Sequence, residues 1–152
     1  MNFDLATVLP QIIPLAIEWA EQHAAEIKAL GEPLSEPQIA LARRVGVAHP
    51  AYIRVLYVPQ LPLPADPLLL QVAQQSGLLG PNMVGLTLGH SIYLCNGYGS
   101  LRVLSHECRH VQQYEQAGSI AAYLPKYLRQ VAEFGYAAAP YEVDARAHEA
   151  EA

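Results

Sequence analysis

The sequence predicts an α+β fold: helices at the N-terminus, a small antiparallel sheet with a hairpin in the middle, and helices again at the C-terminus. Three observations predict it. Apolar residues recur at helical spacing across the first fifty positions. Residues 52–58 and 84–94 carry the alternating β-branched and aromatic pattern of strands. A helical apolar stripe returns after Ser100, bounded by a capping serine and a terminating glycine. At 152 residues the chain is sized for one domain, read as an N-terminal helical part (1–50) and a core (51–152).

Each element has a local reason. Ile12, Ile13, Ala16, Ile17, Trp19 and Ala20 share one face of a first helix, with Glu18, Glu21 and Gln22 between them, and Gly31 is suited to end it. Ser35 and Gln38 form a capping box for a second helix that carries Ile39, Leu41, Ala42 and Val45 and stops near Gly46. Residues 52–58 alternate as a strand, and Pro59, Pro62, Pro64 and Pro67 then make a stiff connection. Residues 68–76 are a short helix closed by Gly77. Residues 84–94 fold back at Gly89-His90, where glycine in the first turn position suits a type II′ hairpin. Gly85, Thr87 and Ser91 leave one hairpin face nearly free of bulk, open to close approach by another element. Ser100 caps a helix over about residues 101–117 that ends at Gly118. Pro140 reads as the first residue of a final helix that runs to His148.

Composition narrows the function classes. Hydrophobic residues make up 52% and charged residues 15%, which favours a packed core over disorder. Nine Lys and Arg are spread without a basic stripe, against nucleic-acid binding. No apolar run is long enough for a membrane span, and Met1, Asn2, Phe3 and Asp4 lack the positive charge of a signal peptide. Cys95 and Cys108 are too few for a disulfide scaffold and are expected to be reduced and buried, in a cytoplasmic setting. Against this charge-poor background, six histidines stand out.

Two of them are organised. His106-Glu107-Cys108-Arg109-His110 is an HExxH motif within the helix that Ser100 starts. Residues i and i+4 lie one turn apart with Cβ atoms about 5–6 Å from each other, so both imidazoles can reach one Zn2+ ion. Glu107 is rotated by about 100° from His106, close enough to touch a metal-held water without ligating the ion. That is the position a general base requires. Leu101, Leu104, Cys108 and Val111 form the stripe that packs this helix. His23, His49, His90 and His148 show no such spacing, and His90 at the hairpin turn reads as a surface residue.

Two histidines alone hold zinc poorly, so a third ligand is needed. Gln113 and Gln116 occupy the places that an HExxHxxGxxH sequence would fill with Gly and His, which closes the metzincin route. The remaining candidates are Glu115, Glu133, Glu142, Asp144, Glu149, Glu151 and His148. Glu115, five residues past His110, points away. Glu142 and Asp144 differ by about 200° on the final helix, so one of them faces the metal. Ala138, Tyr141 and Ala145 suit packing of the Glu142 face against the motif helix, which favours Glu142 over Asp144 and His148.

On these residues the chain resembles the small gluzincin-type metallopeptidase domains, the minigluzincins and related bacterial HExxH domains, over about residues 53–147. The resemblance rests on a Gly-Leu-Thr-Leu-Gly-x-x-Ile-Tyr-Leu hairpin (85–94), on His-Glu-x-x-His-Val-x-Gln (106–113) and on Glu-x-Asp-Ala (142–145). It implies a zincin-like fold with an HExxH helix and a C-terminal glutamate-bearing helix. It implies His106, His110 and Glu142 as zinc ligands and Glu107 as base. Many gluzincins carry an Asp four residues after the third ligand to support a ligand histidine; here that position is Arg146. Support must therefore come from another residue or a backbone carbonyl.

The expected function is zinc-dependent hydrolysis of peptide bonds, with water activated by the metal and Glu107 as base. The alternative is a catalytically inactive or latent zinc-binding domain that works through protein contacts. Expected partners are a peptide or protein substrate, and a protein partner or second copy of the chain. Tyr114, Tyr123, Tyr127, Tyr136 and Tyr141 are the tyrosines nearest the motif and candidates for stabilising an oxyanion. The hairpin edge offers an extended peptide a strand to pair with.

Overall fold

A computed structural model describes residues 4–151. Met1–Phe3, read above for targeting signals, fall outside that range. Helix α1 (Leu5–Leu30) is capped by the Asp4 carboxylate, which accepts from the Ala6 N–H. It runs through Pro10 and Pro14 without a break and ends at Gly31. A Cβ at Gly31 would stand 2.6 Å from the Ile27 carbonyl oxygen and 3.0 Å from that of Val55, so only glycine fits there. Strand β1 (Glu32–Pro33) is two residues long and was not legible in the sequence. Helix α2 (Glu36–Arg44) carries the capping box of Ser35 and Gln38 in full.

One turn of 3-10 helix (Pro50–Tyr52) delays strand β2 to Arg54–Val58. Helix α3 (Pro67–Ser76) begins at the Asp66 cap and ends at Gly77 in the left-handed conformation. Strands β3 (Gly85–Leu88) and β4 (Ser91–Cys95) form the hairpin, with φ of 71° at Gly89 as a type II′ turn requires. Helix α4 (Leu101–Ala117) starts at Ser100 and stops at Gly118. Helix α5 (Ile120–Phe134), which the sequence did not resolve, is capped by Ser119 and contains Pro125. Helix α6 (Pro140–Ala147) begins at Pro140 as expected.

The sheet corrects one expectation. It was expected to be antiparallel and is mixed, in the order β1-β2-β4-β3. The pairs β1–β2 and β3–β4 are antiparallel, but β2 and β4 run parallel over five residues, from Arg54 opposite Ser91 to Val58 opposite Cys95. The physical reason lies in the connection. The proline-rich segment and α3 carry the chain over the sheet, a crossover long enough for a parallel return. The sequence of β4 also fits an interior position, because all five of its residues are buried.

The sheet is covered on both faces. On one side, Ile53, Val55, Ile92 and Leu94 meet Leu41 of α2, Val45 just past its end, and Leu104, Cys108 and Val111 of α4. On the other, Tyr93 and Leu88 meet Ala20 and Ile27 of α1. The Ser91 hydroxyl donates to the Ala24 carbonyl of α1 at 2.9 Å. Helix α5 packs on α1 and α4, and α6 on α4. Cys95 and Cys108 are both buried and unpaired, as expected. Among the described residues, no helix is long and apolar enough to cross a membrane.

Candidate metal centre

Helix α4 carries two faces. Leu104, Cys108 and Val111 are turned into the core under the sheet. His106 and His110, one turn apart, are turned toward α6, with ring centroids 4.9 Å from each other. Gly85 and Thr87 form the small face of β3 that lets α4 come close, whereas Ser91, expected on the same face, lies on the opposite one against α1: the Thr87 hydroxyl lies 3.1 Å from the Glu107 carbonyl oxygen and 2.9 Å from its carboxylate Oε1. Gly85 sits under the same carboxylate, and a Cβ there would stand 2.8 Å from Glu107 Oε2.

Helix α6 supplies the carboxylate that the histidines lack. Glu142 Oε1 lies 3.1 Å from His106 Nε2 and 3.3 Å from His110 Nε2, so one oxygen bridges both imidazoles. Its other oxygen accepts from the Tyr127 hydroxyl of α5 at 2.6 Å. One ligand atom from each of His106, His110 and Glu142 falls within 4.8 Å of the others. Two imidazole nitrogens and a carboxylate oxygen are a donor set that suits zinc, and three protein ligands leave a fourth position open.

The outward-facing nitrogens are held as metal-ligating histidines require. His106 Nδ1 lies 2.9 Å from Glu149 Oε2. His110 Nδ1 donates to Gln113 Oε1 at 2.8 Å, because the Gln113 amide nitrogen is committed to the Tyr141 carbonyl and to Asp144, each at 2.9 Å. The Tyr123 hydroxyl donates to the same Gln113 oxygen at 2.9 Å. Each imidazole therefore turns its Nε2 toward Glu142.

The electrostatics follow from this crowding. Burial pulls His106 down, but the hydrogen bond to Glu142, the charges of Glu107 and Glu142 and the contact with Glu149 outweigh it and push it up to about 9. His110 is also raised, with burial opposing and Glu142 and Glu107 prevailing. Glu142 moves the other way: burial would raise it, but His106, His110 and the Tyr127 hydroxyl hold it well below the usual carboxylate range. Glu107 is raised above the ordinary carboxylate value, chiefly by burial, against the pull of His110 and His106.

The other sequence candidates go elsewhere. Asp144 accepts from Arg109 Nε at 2.8 Å and from Gln113, and Arg109 also donates to the Val45 carbonyl at 2.7 Å. This joins α6, α4 and the end of α2. His148 Nδ1 donates to the Asp144 carbonyl oxygen at 2.8 Å. Glu115 accepts from the Ala48 and His49 N–H groups and pairs with His90 at 2.9 Å, so His90 is an anchored, half-buried residue outside the cluster. Glu133 and Glu151 are exposed. Glu149, weighed as a ligand, instead supports His106. Sequence reasoning named Thr87, Gln113 and Tyr127 but not their contacts with Glu107, His110 and Glu142; the small face of β3 and the Gln three residues after His110 were the available signals.

The five tyrosines separate clearly. Tyr127 and Tyr123 spend their hydroxyls on Glu142 and Gln113. Tyr114 and Tyr141 pack their rings against Tyr123, at centroid distances of 3.8 and 4.7 Å. Tyr136, in the connection between α5 and α6, lines the cleft that holds Glu107 and the cluster. Among the described residues, nothing hydrogen-bonds its hydroxyl.

Comparison of the chain with protein-family models, with curated proteins and with solved structures finds no match.

Proposed function

We propose that this chain is a zinc-dependent peptidase in which His106, His110 and Glu142 hold the ion and Glu107 is the general base. The observation that carries the proposal is the convergence of both motif histidines on one Glu142 oxygen, with Glu107 buried beside them in the same cleft. The arrangement is what the resemblance to small gluzincins implies, and a zincin-like fold is part of the same proposal. Zinc, when bound, polarises a carbonyl and lowers the pKa of water.

The chain's own residues supply the rest. Glu107 takes a proton and passes it to the leaving amine, and the proton affinity that burial gives it suits that exchange. Thr87 and Gly85 fix where its carboxylate points. Among the described residues, Tyr114 and Tyr136 line the cleft with hydroxyls that make no hydrogen bond, and Tyr136, the less buried of the two, is the candidate donor to an oxyanion. Strand β3 lies at the edge of the sheet, where an extended peptide can add as a further strand. Two unpaired thiols accord with a cytoplasmic setting.

The test is hydrolysis of a quenched fluorescent peptide library by zinc-loaded protein and its Glu107→Gln variant. The variant should keep zinc and lose hydrolysis. Equal hydrolysis by both would remove Glu107 as base. Stoichiometric zinc with no hydrolysis by either would favour the alternative, a catalytically silent zinc domain that acts through protein contacts.

A further inference from the structure

The two oxygens of Glu142 have different neighbours. Oε1 lies 3.1 Å from His106 Nε2 and 3.3 Å from His110 Nε2, where the ligand atoms of the three residues converge. Oε2 accepts from the Tyr127 hydroxyl at 2.6 Å, the one hydrogen bond that the described residues give it. This donor belongs to neither ligand-bearing helix. It comes from α5, which packs against both α4 and α6.

The ring of Tyr127 holds the hydroxyl in place. It lies against Tyr123 and His110, with centroids 5.9 and 6.4 Å away. Tyr123 is in turn stacked on Tyr141, the residue before Glu142, at 4.7 Å. A phenolic hydroxyl has one proton to give, and Glu142 takes it. Glu142 is only 3% exposed, so water offers it little instead. Without this donor Oε2 would be a buried acceptor with no partner.

That asymmetry bears on how an ion is held. A carboxylate ligates through one oxygen or through both. With one oxygen, Glu142 completes a three-ligand set and leaves a fourth position for water or substrate; with both, it takes up that position. We propose that Tyr127 is a positioning residue that reserves Oε2 of Glu142, so that the carboxylate gives an ion one oxygen and the fourth position stays open. The proposal rests on the zinc site assigned above and gives α5 a part in it. When the hydroxyl is removed, the ion is the nearest partner left to Oε2.

Cobalt(II) reads the coordination without catalysis. It occupies zinc sites, and its visible absorption is intense when four ligands surround it and weak when more do. The cobalt-loaded wild type should show the intense four-coordinate spectrum. Tyr127→Phe keeps the ring and should lose most of that intensity, while it holds zinc within about tenfold of the wild type in a competition titration. Tyr123→Phe removes a neighbouring hydroxyl that is spent on Gln113 and should leave the spectrum unchanged. Thermal unfolding of the same samples reports any loss of packing, which by itself would leave the spectrum as it was. An unchanged spectrum in folded, cobalt-loaded Tyr127→Phe would overturn the inference and leave the zinc site standing. So would a five-coordinate spectrum in the wild type, a result that does not depend on any variant. A wild type that takes up neither cobalt nor zinc would overturn the inference and the zinc assignment together. The expected spectral change in a protein that hydrolyses no peptide would uphold the inference and remove the peptidase reading.

Discussion

Gly85→Ala isolates Glu107 from the rest of the centre. The new Cβ would stand 2.8 Å from Glu107 Oε2, 2.9 Å from Cδ and 3.0 Å from Cγ. Ordinary contact begins near 3.4 Å, so the carboxylate must retreat by about half an ångström. Gly85 lies in strand β3 outside the positive-φ region, so alanine brings no backbone strain. The obstructing atoms belong to a buried side chain that Thr87 also holds, and the fold should lose about 1–3 kcal/mol, the usual range for overpacking. The proposed zinc ligands, His106, His110 and Glu142, are untouched. A displaced general base is different: proton transfer by a positioned base contributes roughly 100- to 10,000-fold, and a shift of this size should forfeit at least about tenfold of it. The assay is peptide hydrolysis by zinc-loaded wild type and variant, with zinc affinity and thermal unfolding measured on the same samples. Adding Glu107→Gln to the variant should cost less than it costs the wild type, since the two changes disable one group. Full activity in a folded, zinc-loaded Gly85→Ala protein would refute the role assigned to Glu107 and to Gly85 of β3 beneath it.

Other predictions follow from neighbouring contacts. Glu149→Ala removes the carboxylate on His106 Nδ1 and should weaken zinc binding about 10- to 100-fold in a competition titration, with Glu149→Gln recovering part of it. Glu107→Gln should raise the unfolding temperature of the zinc-free protein at pH 7, because burial lifts the folded-state pKa of Glu107 and its ionised form therefore opposes folding. A lower melting temperature would contradict that sign. Glu115 is displaced oppositely: burial would raise it, but the Ala48 and His49 N–H groups and His90 hold it down. Its contribution is present above the ordinary carboxyl value of about 4.3 and is lost as pH falls through the folded one. Glu115→Gln should thus cost about 1–2 kcal/mol by chemical denaturation near neutrality, and the gap should close in acid.

The sequence carried the local features well. Ser100 and Gly118 bound α4, Ser35 and Gln38 cap α2, and Gly89 sets the hairpin, because each acts through backbone groups within a few residues. The HExxH spacing was equally local. Glu142 was legible through its neighbours, since Ala145 had to pack where the glutamate faced inward. The parallel pairing of β2 with β4 was not legible, because alternation along a strand says nothing about the direction of its neighbour. Helix α5 was hidden by Pro125, although Tyr123, Leu128 and Val131 share its buried side. The supports of the two histidines were hidden for another reason. Glu149 lies 43 residues from His106, and its role depends on how α6 ends against α4. Asp144 was the ligand candidate set behind Glu142; its pairing with Arg109 depends on the same packing.

The central claim is that His106, His110 and Glu142 form one zinc site. Metal analysis and a competition titration on the purified chain, with Glu142→Ala and Asp144→Ala beside it, test that most directly. The account predicts one zinc per chain in the wild type, retained with modest weakening in Asp144→Ala and lost in Glu142→Ala. No stoichiometric zinc in the wild type, or a greater loss from Asp144→Ala than from Glu142→Ala, would contradict it.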